Sequence, residues 1–175
     1  MHIDKYKNKY FNEHIYLFKY ENFIREKILA YKFNDKPYYY KTFVKIFITN
    51  KKMCDILKTY DIIIPVPIHN KRRKERGYNQ TELIAKELSK NFNNLKYMNI
   101  LTKNKNAKPQ STLNKKQRIE NSKNVYGIKE NIEIKQKKIL IFDDIYTTGS
   151  TANECAKILK ECKTKKIGIL TIAKD

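Results

Sequence analysis

The stretch Lys138-Ile139-Leu140-Ile141-Phe142-Asp143-Asp144-Ile145-Tyr146-Thr147-Thr148-Gly149-Ser150-Thr151 decides the architecture. Lys138 to Asp143 is a short apolar run that ends in acids, the pattern of a strand buried on both faces. Ser150 to Cys162 follows with Ala152, Cys155, Ala156 and Leu159 on one helical stripe. Ile167 to Ala173 is again short, apolar and β-branched, which predicts a second buried strand. Strand, helix and strand at this spacing make a βαβ unit, hence a parallel sheet with a right-handed crossover. The fold class is therefore α/β.

Reading back from that unit, Asp61-Ile62-Ile63-Ile64-Pro65-Val66-Pro67 predicts another buried strand, ended by prolines that cannot donate ladder hydrogen bonds. A basic loop leads to a helix over Thr81 to Phe92, with Ile84, Leu88 and Phe92 spaced by four. Tyr97 to Thr102 reads as a weak strand. Lys103 to Asn124 is polar and lysine-rich without an apolar period, and its length suggests a functional flap or partial disorder. The first sixty residues read as helical. Phe23, Ile24, Ile28 and Tyr31 share one helix, Phe43, Val44, Phe47 and Ile48 a second, and Asn34-Asp35-Lys36-Pro37 turns between them. The expected organisation is a helical N-terminal segment, 1–60, packed on an α/β domain, 61–175. No internal repeat is visible.

Bulk properties narrow the class. A chain of 175 residues with 41% hydrophobic and 32% charged residues fits one folded domain rather than a disordered one. No run approaches the ~20 apolar residues that span a bilayer, and the N-terminus carries no signal-like apolar stretch. A cytoplasmic location is expected, with the inner face of the membrane as one place of action. Three cysteines, Cys54, Cys155 and Cys162, without a C-x-x-C pair, exclude a disulfide framework and a four-cysteine zinc site, so no zinc is expected. Cys155 and Cys162 are read as core residues. The net charge of +20 suits a polyanionic partner. However, only five of the 38 basic residues are Arg, and Lys, Asn, Ile and Tyr all have AT-rich codons, so composition alone can raise the charge.

The chemistry concentrates at Asp143 to Thr151. This segment joins a strand to a helix, where open α/β sheets place their ligands. Gly149 permits backbone dihedrals that other residues resist. Thr147, Thr148, Ser150 and Thr151 offer hydroxyls, and the first N–H groups of the helix face an anion. Two acids would repel that anion unless the ligand also carries hydroxyls, because carboxylates are acceptors that suit a diol. Acids on a diol with amides on a phosphate describe a ribose 5-phosphate. Helix capping alone accounts for the hydroxyls but not for the paired acids. The Gly-Lys-Ser/Thr of a Walker A loop does not occur.

At this loop the sequence resembles the type I phosphoribosyltransferases. The resemblance implies that Asp143 and Asp144 hold the ribose hydroxyls, and Thr147, Thr148, Gly149, Ser150 and Thr151 the 5′-phosphate of phosphoribosyl diphosphate. Magnesium would arrive with that diphosphate, near Asp143 and Asp144. A second set, Pro65-Val66-Pro67-Ile68-His69, Arg72, Arg76-Gly77-Tyr78-Asn79-Gln80, then Gln110, Leu113, Arg118, Asn121 and Tyr126, is similar to the ComF family of competence proteins. That similarity runs from Asp61 to Asp175, with a fainter echo over Tyr20 to Phe33. Arg72 and Arg76 lie four apart, and guanidinium forks match phosphate oxygens, so His69, Arg72, Arg76, Gly77, Tyr78 and Asn79 form the expected second anion subsite. His69 itself reads more simply as a loop residue bonded to backbone. Gln110, Arg118 and Asn121 are expected on the flap. ComF proteins typically begin with a cysteine-rich zinc module that this sequence does not contain.

Three functions are open at this point. The family resemblance implies a competence protein that handles incoming single-stranded DNA, with DNA-uptake machinery as a partner. That role is the favoured reading; the alternative is an active phosphoribosyltransferase acting on a nucleobase or amine, against which the lack of a base-recognition motif counts. A module that senses phosphoribosyl diphosphate without turning it over is the third. No catalytic residue is assigned from the sequence.

Overall fold

The structure, a computed structural model, describes residues 1–33, 37–104 and 125–175. Its centre is the strand over the deciding stretch. In chain order the elements are β1 (His2–Lys5), β2 (Glu13–Lys19), α1 (Asn22–Phe33), α2 (Tyr39–Thr49), α3 (Lys51–Leu57), β3 (Ile62–Pro65), α4 (Asn70–Arg76), α5 (Gln80–Ser89), β4 (Lys96–Tyr97), β5 (Leu101–Lys103), β6 (Tyr126–Ile128), β7 (Lys138–Tyr146), α6 (Ser150–Glu161) and β8 (Lys166–Lys174). A six-stranded sheet has the order β1-β2-β8-β7-β3-β4, parallel throughout except for the antiparallel edge strand β1. β5 and β6 form a separate antiparallel pair.

The apolar runs of the sequence sort by alternation onto the two sheet faces. Ile63, Leu140, Phe142, Leu170 and Ile172 pack under α1, α2, α3 and α5, together with Tyr31, Phe47 and Leu88. Ile62, Ile64, Ile139, Ile141, Ile167 and Ile169 face the other way, onto Ala152, Cys155, Ala156 and Leu159 of α6. A strand covered on both faces needs no polar residues inside, which is why β3, β7 and β8 read as continuous hydrophobic runs. Gly168 in β8 marks a close approach, because a Cβ there would collide with the buried Tyr60 ring.

The βαβ unit, the strand after Asp61 and the helix after Asn79 stand as the sequence predicts. The beginning of the chain differs. It is helical from Asn22, but residues 2–5 and 13–19 are strands, β1 at the sheet edge and β2 between β1 and β8, pairing with β8 through Ile15↔Leu170. Glu13 to Lys19 alternates in a strand-like way, with Ile15 and Leu17 buried, yet its partner lies some 150 residues downstream and leaves no local mark. The basic stretch before Arg76 is a short helix, not a loop. It is built of good helix formers and buries none of them, so no apolar period reveals it. The weak strand over Tyr97 to Thr102 divides into β4 and β5. Cys155 is buried as expected, whereas Cys162, at the end of α6, is half-exposed.

Candidate functional site

β3 leads through α5 to its outer neighbour β4, while β7 leads through α6 to β8 on the opposite side. The chain thus switches direction between β3 and β7, and the crevice beyond their carboxyl ends is where such sheets bind ligands. Pairing of β3 with β7 ends at Pro65↔Phe142, followed by Val66 N–H donating to the Phe142 carbonyl at 2.9 Å. Asp143 and Asp144 are the next residues of β7, beyond that pairing. β7 itself does not stop at the acids. It continues beside β8 to Tyr146↔Lys174, which holds the acids on rigid strand rather than loop.

Asp143 Oδ1 accepts the Asp144 N–H at 2.8 Å. Burial, and then the neighbouring charge of Asp144, raise the Asp143 carboxyl well above the ordinary carboxylate range, against the opposing pull of Lys32 and Lys103. Asp144 Oδ2 lies 2.7 Å from Lys32 Nζ, and both side chains are mostly shielded from solvent. The two acids therefore face different surroundings although they are adjacent in sequence.

The following turn is tight and closely packed. Gly149 adopts φ +73°, and a Cβ there would strike the Tyr146 ring. That ring is itself fixed, stacked on His14 with centroids 4.1 Å apart. The Thr148 and Ser150 hydroxyls lie 3.0 Å apart, and Ser150 N–H donates to Thr148 Oγ1 at 3.3 Å. α6 begins at Ser150 without a side-chain cap on Gly149. Asp143, Tyr146, Thr147, Gly149, Ser150 and Thr151 line a small cavity at this point. Thr151 is also hydrogen-bonded to Tyr126, whose hydroxyl burial pushes upward in pKa.

Across the crevice, His69 caps α4 by accepting the Lys71 N–H at Nδ1, 3.2 Å away, the plain structural role anticipated for it. Gly77 closes α4 in the left-handed region. The Asn79 side chain caps α5, accepting from Thr81 N–H at 3.3 Å, and donates to the Val66 carbonyl at 3.2 Å. Tyr78 Oη donates to the Tyr31 carbonyl at 2.8 Å. Of the set His69, Arg72, Arg76, Gly77, Tyr78 and Asn79, the structure thus gives His69, Tyr78 and Asn79 hydrogen bonds to backbone and Gly77 a left-handed turn, while the guanidinium groups of Arg72 and Arg76 carry the positive charge. Arg76 lies over the Phe33 ring, 4.6 Å from its centroid. Its guanidinium is pulled below its ordinary pKa by burial and then by Arg72, and pushed back by Asp144. Arg73 pairs instead with Glu82 at 3.3 Å.

Two cations escaped the sequence reading. Lys32 lies on α1. Lys103, at the end of β5, donates to Tyr126 Oη at 3.3 Å, and burial lowers its pKa beside Arg72 and Asp143. Among so many lysines neither carries a local signal. Gln110, Arg118 and Asn121 lie outside the described residues.

Comparisons with known proteins place the chain in a family. A model of the phosphoribosyl transferase domain matches residues 79–175, more than half of the chain. The chain belongs to the phosphoribosyl transferase domain family. The chain is 30% identical over 151 residues to competence protein F of Haemophilus influenzae, covering 84% of the chain and 66% of that relative. It is 27% identical to competence protein ComFC of Streptococcus pneumoniae, covering 92% of the chain and 68% of the relative. It is 31% identical to the DNA utilization protein YhgH of Escherichia coli O157:H7, over 59% of the chain and 44% of that protein. The chain thus spans about two thirds of the length of these two competence proteins and less than half of the third relative. These relatives agree with the resemblance to the ComF family of competence proteins read from the sequence. Among the described residues no helix is long and apolar enough to cross a membrane.

Proposed function

We propose that this domain binds phosphoribosyl diphosphate, or a related ribose 5-phosphate ligand, and serves a competence protein that handles incoming single-stranded DNA on the cytoplasmic side. One observation carries the ligand reading: a pair of acids and an uncapped helix start share the switch-point crevice with Arg72 and Arg76. Asp143 and Asp144 accept from the ribose hydroxyls, and the Thr147–Thr151 turn donates to the 5′-phosphate. Arg72 and Arg76 receive the diphosphate. Magnesium fits as an ion delivered on that diphosphate, since it is commonly held by one or two carboxylates together with substrate phosphates. Asp143 and Asp144 are the oxygen donors that would meet it, and its charge would screen the leaving diphosphate.

The competence role is supported by the two competence relatives and by the basic surface, and it places DNA-uptake proteins among the partners. Single-strand binding needs a positive groove and exposed aromatic rings. Phe23, Phe33 and Tyr38 are exposed, with Lys27 over Phe23 and Arg76 over Phe33. The test is fluorescence anisotropy of a labelled single-stranded oligonucleotide over a salt series, with and without magnesium phosphoribosyl diphosphate. Binding that survives physiological salt and prefers single to double strands supports the reading, whereas binding that vanishes with added salt refutes it. The raised Asp143 carboxyl favours a second reading, an active transferase using a nucleobase or amine, since perturbed acids mark catalytic sites. Diphosphate release across the common bases distinguishes transfer from sensing.

A further inference from the structure

We infer that Lys32 is a positioning residue of the ribose subsite, so that α1, outside the matched residues 79–175, forms one wall of the site. The inference rests on the ligand reading above and adds to it a group that neither the acid pair nor the phosphate turn contains.

Three consecutive residues at the end of α1 make five contacts to the two sides of the crevice. Tyr31 Oη donates to the Gln80 carbonyl at 2.8 Å, and the Tyr31 carbonyl accepts from Tyr78 Oη at 2.8 Å. The Lys32 carbonyl accepts from Gln80 Nε2 at 3.4 Å. Lys32 Nζ reaches Asp144 Oδ2 at 2.7 Å, and the Phe33 ring carries the Arg76 guanidinium. This turn therefore joins the acid strand β7 to the arginine helix α4.

The lysine stands apart from the solvated coat. Its side chain is 19% exposed and that of Asp144 15%, so the pair is held away from water. Removing one partner of such a pair leaves an uncompensated charge in a poorly hydrated place. Here that charge would lie beside a second carboxylate and facing an anionic ligand. Lys32 offsets one of the two negative charges and fixes the Asp144 carboxylate as an acceptor with its second oxygen available. Tyr31, Arg76, Lys103, Tyr126 and Cys155 are further titratable groups around the acid pair, and among the described residues Lys32 is the cation in direct contact with Asp144.

The experiment is calorimetric titration of ribose 5-phosphate into the full chain and into Lys32→Met, Lys32→Arg, Asp144→Asn and the double variant Lys32→Met/Asp144→Asn. Lys32→Met should weaken binding at least tenfold, and Lys32→Arg should restore most of it. In the Asp144→Asn background Lys32→Met should add less than twofold, because the charge it offsets is gone. Lys32→Gln carries the same expectation as Lys32→Met should the latter not fold. Unchanged affinity in Lys32→Met or Lys32→Gln, an equal loss in Lys32→Arg, or full additivity with Asp144→Asn overturns the inference. Failure of the unsubstituted chain to bind ribose 5-phosphate is a separate outcome, which removes the ligand reading and this inference with it.

Discussion

Gly149→Ala tests whether the turn after the acids is held by its geometry. The backbone at Gly149 lies at φ +73°, where an L side chain costs about 1–2 kcal/mol. The added methyl also meets the Tyr146 ring, which is buried and cannot swing aside because His14 stacks on it and Phe11 contacts it edge-on. Overpacking of that kind costs about 1–3 kcal/mol. The two effects together give roughly 2–5 kcal/mol, a large part of the ~5–15 kcal/mol of a whole domain. Urea unfolding followed by circular dichroism would show the midpoint falling with the slope unchanged. Ribose 5-phosphate affinity should fall as well, since the turn must shift to admit the methyl. A variant within about 0.5 kcal/mol of the parent, with unaltered binding, would refute the reasoning.

Other perturbations probe separate parts of the account. His14 is buried, shares a 2.8 Å hydrogen bond with Thr171 Oγ1, and burial lowers its pKa from 6.5 to about 3. The unfolded chain therefore binds a proton that the native state refuses, so stability falls as pH drops below about 6.5 and levels off only below about 3. The loss should reach about 2 kcal/mol by pH 5, and His14→Phe should flatten that part of a urea-midpoint profile. An unchanged slope in His14→Phe would remove His14 as its cause. Gly168→Ala should destabilise by about 1–3 kcal/mol through collision with Tyr60, whose hydroxyl is tied to Glu13 at 2.7 Å; a neutral thermal melt would contradict this. Arg72→Ala/Arg76→Ala should reduce the salt slope of oligonucleotide binding by about 2 if both arginines meet phosphates. An unchanged slope would place the strand elsewhere.

Most of the sheet was legible because its strands are covered on both faces. Ile62 to Ile64 and Ile139 to Phe142 needed no polar alternation and read as uninterrupted apolar runs, and Ile167 to Ile172 is broken only by Gly168 and Thr171. The acid pair and Gly149 were legible as a candidate site because they are local: the strand, the acids and the turn lie within a few residues of each other. What escaped was non-local. β2 takes its identity from hydrogen bonds to β8, at the far end of the chain. The helix at Asn70–Arg76 is held by a cap at His69 and by propensity, without a buried face to give it a period. Lys32 and Lys103 acquire meaning only where the fold brings them to Asp144 and Asp143. Their residue type, the commonest basic one in the chain, hides them.

The most direct test of the central claim is calorimetric titration of magnesium phosphoribosyl diphosphate into the full chain and into Asp143→Asn/Asp144→Asn. The account predicts saturable one-site binding to the parent chain and its loss in the variant, with the variant still folded. Equal binding by both proteins, or no binding by the parent, would contradict it.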